Sequence, residues 1–224
     1  MIRIAFILFL ACLTCVAQIP PSMMLNYEQL VSQPSATVTP VGYIDDRWYF
    51  NVTTESNNAP FAINFTGTGT RIVDWGDGNS TTNSGTVNAT NFYTTAGSNV
   101  LTIREVSGKT TLIAVSALSG NRPRLKQILT PAYGVTNLNS LESIFQSCSA
   151  LTVMPVDGLT NLTKVTPLVN TWRDCSGATN FPAVNTLVSN TTLEFTWYNC
   201  TKMAIPPDVG SMKRETTLAG TCVG

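Results

Sequence analysis

The sequence predicts a mainly β protein with short helices, built as a small β-sandwich followed by a leucine-rich-repeat solenoid of short parallel strands. Three observations predict it. Only 12% of the residues are charged, and the polar remainder is Thr, Ser and Asn rather than Lys and Glu; Thr and the β-branched apolar residues suit strands, while Asn, Ser and Gly suit turns. Between Val41 and Leu118, short β-rich runs are separated by Gly, Asn and Ser clusters, the spacing of an all-β domain. From about residue 119 onward, a phrase built on an aromatic, a cysteine and a proline returns three times, which is how stacked repeats read in sequence.

The N-terminus, MIRIAFILFLACLTCVAQIP, places Arg3 before an apolar run from Ile4 to Cys15. The small residues of Cys15-Val16-Ala17 then offer a cleavage site after Ala17, so residues 1–17 read as a secretory signal peptide. The run is too short to cross about 30 Å of hydrocarbon, and no transmembrane span is expected beyond the signal peptide. A second reading makes Cys12 a lipidated residue, although the box before it lacks the usual Leu. Residues 18–40, rich in Pro, Ser, Gln and Thr, read as a linker or arm. The expected locale is secreted or cell-surface.

Residues 41–118 carry the runs RWYFNV, PFAINFTG, TRIVDW, TNFYTT and NVLTIREV, read as strands of the sandwich. Within them lies Asp74-Trp75-Gly76-Asp77-Gly78, where two glycines supply the positive-φ freedom of a tight turn. Asp74 and Asp77 admit two readings, a calcium site and a structural turn in which the carboxylates cap backbone N–H groups. Two carboxylates are few for an ion that takes six to eight oxygens, so the turn is favoured and no metal or other cofactor is expected. This WGDG element, with Phe92-Tyr93-Thr94-Thr95-Ala96-Gly97 and Val100-Leu101-Thr102-Ile103, resembles the polycystic-kidney-disease (PKD) type of immunoglobulin-like domain. The resemblance covers roughly Phe61 to Val106 and implies a spacer or binding module outside cells.

Residues 119–224 hold the repeat. Cys148, Cys175, Cys200 and Cys222 are separated by 27, 25 and 22 residues. Seven positions before the first three stand Leu141, Leu168 and Leu193; three before stand Phe145, Trp172 and Trp197; three after stand Leu151, Ala178 and Met203; seven after stand Pro155, Pro182 and Pro207. Offsets of four and three predict a helical turn with one buried face. The residues after each cysteine predict a short strand ended by proline. Leu125 to Pro131 reads as an upstream capping unit with Arg124 in the cysteine position. The four cysteines of the exported chain admit disulfides, but a set aimed at one core favours an inward ladder of reduced thiols. The fourth phrase, from Leu218 to Gly224, breaks off, which reads as a chain truncated at its C-terminus or a last rung covered by a partner. Phe145-Gln-Ser-Cys148-Ser-Ala-Leu151-Thr-Val-Met-Pro155 resembles the BspA-like leucine-rich repeats, with Trp for Phe in the later units and Ala178 for Leu in the middle one. That resemblance covers about Leu118 to Gly224 and implies exposed or secreted proteins that bind host molecules, other cells or matrix.

Composition narrows the function. The sequence has no histidine, which removes Ser-His-Asp and Cys-His catalysis in their usual forms. Its 13 basic and 13 acidic residues balance, leaving no basic field for nucleic acid. The acids are scattered; Asp45-Asp46 beside Arg47-Trp48-Tyr49 is the one local cluster, and it reads as a strand edge rather than a carboxylate pair. No catalytic residue is expected, and the chain is not expected to be an enzyme. The reading is a secreted or cell-surface binding or adhesion protein whose repeats form a recognition face for an extracellular protein or glycan, with Arg173, Asp174, Tyr198, Asn199 and Lys202 as candidate contact residues. The alternative is a phage or virion structural or receptor-binding protein, which a signal peptide fits poorly. Seven Asn-x-Ser/Thr sequons, at Asn51, Asn64, Asn79, Asn88, Asn161, Asn190 and Asn199, are potential glycan sites in a eukaryotic secretory route.

Overall fold

Strands β1 (Trp48–Thr54), β2 (Ala59–Gly67), β3 (Thr70–Asp74), β4 (Ser80–Ser84), β5 (Val87–Tyr93), β6 (Gly97–Ser107), β7 (Thr110–Val115) and β8 (Leu125–Ile128) form two sheets. The computed structural model describes residues 46–116, 120–185, 187, 189, 192–204, 207 and 209. The expected signal peptide, the linker, Cys12, Asp45 and Cys222 lie outside them. The larger sheet has the order β4-β3-β6-β1-β8 and the smaller one β5-β2-β7. Every strand pairing within them is antiparallel.

Alternation explains which face each strand buries, since successive side chains point to opposite sides of a sheet. Phe61, Ile63 and Phe65 of β2 are buried, as are Val73 of β3, Leu101 and Ile103 of β6, and Ile113 and Val115 of β7. They belong to one continuous apolar core with Trp48, Phe50 and Val52 of β1. Arg71 lies two residues before Val73 and so shares its face, and it is fully buried. Its Nε donates to Thr110 Oγ1 at 3.0 Å and its Nη1 to the Gly85 carbonyl at 2.6 Å. Its guanidinium carbon stands 5.0 Å from the centre of the Phe65 ring. The side chain thus ties the larger sheet to β2 and β7 of the smaller one. Burial lowers its pKa, and the Glu105 carboxylate, opposite it in register, pulls the other way.

The expectation of a leucine-rich-repeat solenoid with short helices and parallel strands is corrected here. Both sheets are antiparallel. Among the described residues, parallel pairing is confined to isolated bridges, Leu112 with Ser140, Gln127 with Val153 and Pro167 with Thr192. The helical elements among the described residues are 3-10 turns of three residues, Arg122–Arg124 and Tyr133–Val135. No solenoid is evident. Leu125 to Ile128, expected to open the array, is instead β8, paired antiparallel with β1. Arg124, expected in a cysteine-like inward position, sends its Nη1 to the Pro60 carbonyl.

The segment after β8 is built of turns, and the backbone shows why. Ser143, Asn170 and Phe195, five residues before the cysteines, and Ser147, Asp174 and Asn199, one before, all have φ between 51 and 61°. A left-handed residue every fourth position is incompatible with an α-helix. The offsets of four and three therefore arise from consecutive turns. In these, the cysteine N–H donates to the carbonyl of the aromatic three residues back, at 3.0, 3.0 and 3.2 Å in the three repeats.

This segment continues the sheets' core. Val115 N–H of β7 donates to the Ile144 carbonyl at 2.9 Å, and Ile128 N–H of β8 donates to the Val153 carbonyl at 3.0 Å. One outer strand of each sheet, β7 in the smaller and β8 in the larger, is thereby met by the first repeat. The described residues all belong to one compact unit.

Candidate functional site

Each repeat is joined to the next by its backbone. Leu141, Ser143, Phe145 and Ser147 donate to the carbonyls of Pro167, Val169, Thr171 and Arg173; Leu168, Asn170, Trp172 and Asp174 donate to those of Thr192, Glu194, Thr196 and Tyr198. These bonds run from 2.7 to 3.3 Å and hold equivalent residues of successive repeats side by side. Inside, Phe145, Trp172 and Trp197 stack, with ring centres 6.5 and 5.9 Å apart. Leu141, Leu151, Leu168 and Leu193 are buried around them, and Met203 is partly buried against the same core.

The cysteines at the same level, Cys148, Cys175 and Cys200, are buried and form no disulfide with one another. Cys175 Sγ donates to the Phe145 carbonyl at 3.0 Å and Cys200 Sγ to the Trp172 carbonyl at 3.1 Å. Burial pushes the Cys148 thiol up to about 12, with Arg122 opposing; burial together with the neighbouring Cys148 and Cys200 pushes Cys175 up as well. Such thiols are packing groups rather than nucleophiles.

The same register assembles a surface cluster. Arg173 stands two residues before its cysteine, and Tyr198 occupies that place in the next repeat. The guanidinium carbon of Arg173 lies 5.2 Å from the Tyr198 ring centre and 5.7 Å from that of Phe195. The two rings meet edge to face at 5.8 Å. Arg173 Nε sits 3.6 Å from Asp174 Oδ2, its Nη1 donates to Asn170 Oδ1 at 3.4 Å, and Asn199 Nδ2 donates to Asp174 Oδ1 at 3.0 Å. Arg173, Asp174 and Tyr198 are half-buried and Asn199 is exposed. Four of the five candidate recognition residues are therefore in mutual contact. Lys202 is exposed and forms no hydrogen bond, ion pair or ring contact with them, so it stands apart from the cluster.

Sequence reading missed Phe195, which completes the aromatic pair, and Asn170, which holds the guanidinium. It also missed Thr171 and Thr196, four residues before the cysteines. Both are fully buried. The Thr171 hydroxyl lies 2.8 Å from the carbonyls of Leu141 and Leu168, and that of Thr196 lies 2.8 Å from the Leu168 carbonyl. The repeated dipeptide Thr-Trp was the available signal.

In the β3–β4 turn, Trp75 is fully buried. Its Nε1 donates to Thr81 Oγ1 at 3.1 Å, and Tyr93 Oη donates to the Trp75 carbonyl at 3.0 Å. Asp74 Oδ1 accepts from Gly76 N–H at 3.0 Å, and Asp77 Oδ1 from Asn79 N–H at 3.0 Å. Asp77 Oδ2 accepts from Asn79 Nδ2 at 3.1 Å and Asn91 Nδ2 at 2.7 Å. Desolvation alone would raise the Asp77 carboxyl, but these hydrogen bonds outweigh it and hold it below the ordinary carboxylate range. Gly76 and Gly78 have φ of 78 and 90°. No group of three potential metal ligands occurs among the described residues, and none of their helices is long and apolar enough to cross a membrane. No protein family, curated protein or solved structure matches this chain.

Proposed function

We propose that this chain is an exported, non-catalytic binding protein, and that Arg173, Asp174, Tyr198 and Asn199, with Phe195, form the centre of its recognition face. The observation that carries the reading is the Arg173 guanidinium held against two aromatic rings of the neighbouring repeat while Asp174 and Asn199 bond alongside it. A face whose side chains are already fixed loses less conformational entropy on binding. Arg and Tyr are also the residue types that dominate binding energy at interfaces. Phe195 occupies the left-handed turn position it shares with Ser143 and Asn170, and its ring meets that of Tyr198 edge to face. The ligand is an extracellular protein or glycan.

The test is a panel of immobilised glycans and matrix proteins probed with purified protein, alongside Tyr198→Ala and Arg173→Ala. A ligand bound by the wild type and lost at least tenfold by both variants, about 1.4 kcal/mol, supports the reading. A ligand bound equally by all three folded proteins refutes this face.

A further inference from the structure

The outer face of the larger sheet holds a second polar site, far in sequence from the repeats. On β3, β6 and β4, register places Asp74 opposite Thr102 and Ser80, and Ile72 opposite Arg104. Directly opposed residues of an antiparallel pair have Cβ atoms about 5 Å apart, and these positions alternate with the core residues Val73 and Ile103, so they share the outward face. Together with Arg47 they line a cleft of about 140 Å³. That volume suits one small charged group rather than a drug-sized ligand.

We propose that this cleft binds a single oxyanion, a carboxylate or sulfate group, through Arg104 and the hydroxyls of Thr102 and Ser80. Two observations point the same way. Thr102 is only 7% exposed, and its hydroxyl lines the cleft without a hydrogen bond to any described residue, so it can donate to a group bound there. Arg104 likewise forms no ion pair or hydrogen bond through its side chain there, while the other guanidinium of the cleft, Arg47, stands 4.0 Å from Asp74 Oδ2. Asp74 therefore faces Arg47 and is itself held by Gly76 N–H, which leaves the Arg104 guanidinium to meet an anion. A guanidinium beside two hydroxyls is a donor set that fits carboxylate or sulfate oxygens. The site does not depend on the recognition face of the repeats.

Sulfate and acetate, titrated at constant ionic strength against chloride and followed by amide NMR, test it. Saturable shifts at Thr102 and Arg104 are expected. Arg104→Gln is expected to weaken binding at least tenfold and Thr102→Val severalfold, while both variants keep the wild-type melting temperature within a few degrees. Glucuronate compared with an N-acetylated aspartate amide then distinguishes the source. Tighter binding of the first assigns the anion to an acidic saccharide, tighter binding of the second to a protein carboxylate, and either sustains the oxyanion site. Absence of saturable shifts, or Arg104→Gln binding as well as wild type, overturns it.

Discussion

The indole rings of Trp172 and Trp197 lie 5.9 Å apart and within 8° of parallel, each on its own repeat and each almost fully buried. Truncating either to Ala is expected to cost about 3–5 kcal/mol, read from urea unfolding. A double-mutant cycle with Leu at both positions isolates the contact itself, which should couple by about 0.5–1.5 kcal/mol. Additive effects would mean that the stack contributes only through burial.

The two glycines of the β3–β4 turn should respond differently. A Cβ at Gly76 would run into the Val100 carbonyl oxygen, whereas one at Gly78 meets nothing within 4 Å. Both need a left-handed backbone. Gly78→Ala should therefore cost about 1 kcal/mol, and Gly76→Ala clearly more. Thermal melts of the two variants give the order, and equal costs would contradict the close approach at Gly76.

The hydroxyl of Thr171 sits at 2.8 Å from two buried carbonyls. Thr171→Val should destabilise by about 1 kcal/mol, while the same change at exposed Thr179 should stay within about 0.5 kcal/mol. Chemical denaturation of both distinguishes a buried hydrogen bond from a general effect of valine.

Thiol chemistry offers a separate check. With Cys148 pushed up to about 12 and Cys175 raised by its burial, these two native thiols carry almost no thiolate at pH 8, and Cys200 is buried beside them. Iodoacetamide should leave Cys148, Cys175 and Cys200 unmodified in the folded protein and alkylate all three in denaturant. Labelling of the native state faster than unfolding would show that they are not sealed in.

Acid sensitivity has a defined sign. The Asp77 carboxyl is held below its ordinary range, so its contribution to stability is fully present above an unfolded value of about 3.9. It is lost as pH falls through the lower folded value. Asp77→Asn should flatten that acid limb of the stability curve, and the effect should be small because the group is partly exposed and screened. An unchanged acid limb would remove Asp77 as a contributor.

The strand runs were legible because alternation is local: RWYFNV, PFAINFTG, TRIVDW, TNFYTT and NVLTIREV all fall on strands of the structure. The repeat columns were legible too, since burial recurs at Leu141, Phe145 and Cys148 and at their counterparts. What failed was the inference from spacing to backbone. Offsets of four and three suit a helix, but they also suit back-to-back turns. Of the residues that decide the matter, Asn170, Asp174 and Asn199 are of types enriched at positive φ, but Ser143, Ser147 and Phe195 carry no such mark. Four residues of the surface cluster were picked out by their repeat positions, although only Asn199 is exposed and the other three are half-buried, while Phe195 was not, since an aromatic reads as core. The cleft on the larger sheet was invisible, because Ser80, Thr102 and Arg104 become neighbours only through strand register.

The way the first repeat meets β7 and β8 bears on how the chain is made. β1 lies between β6 and β8, with Val52 opposite Leu125, so an early strand must wait for a much later one before its hydrogen bonds are complete. Even then the β7 and β8 edges stay open until Ile144 and Val153 arrive. Bare strand edges invite pairing with other chains. A nascent chain halted near residue 120 would leave the ribosome as a sticky half-sandwich, and it is the turn-built segment that makes the front of the molecule safe to release.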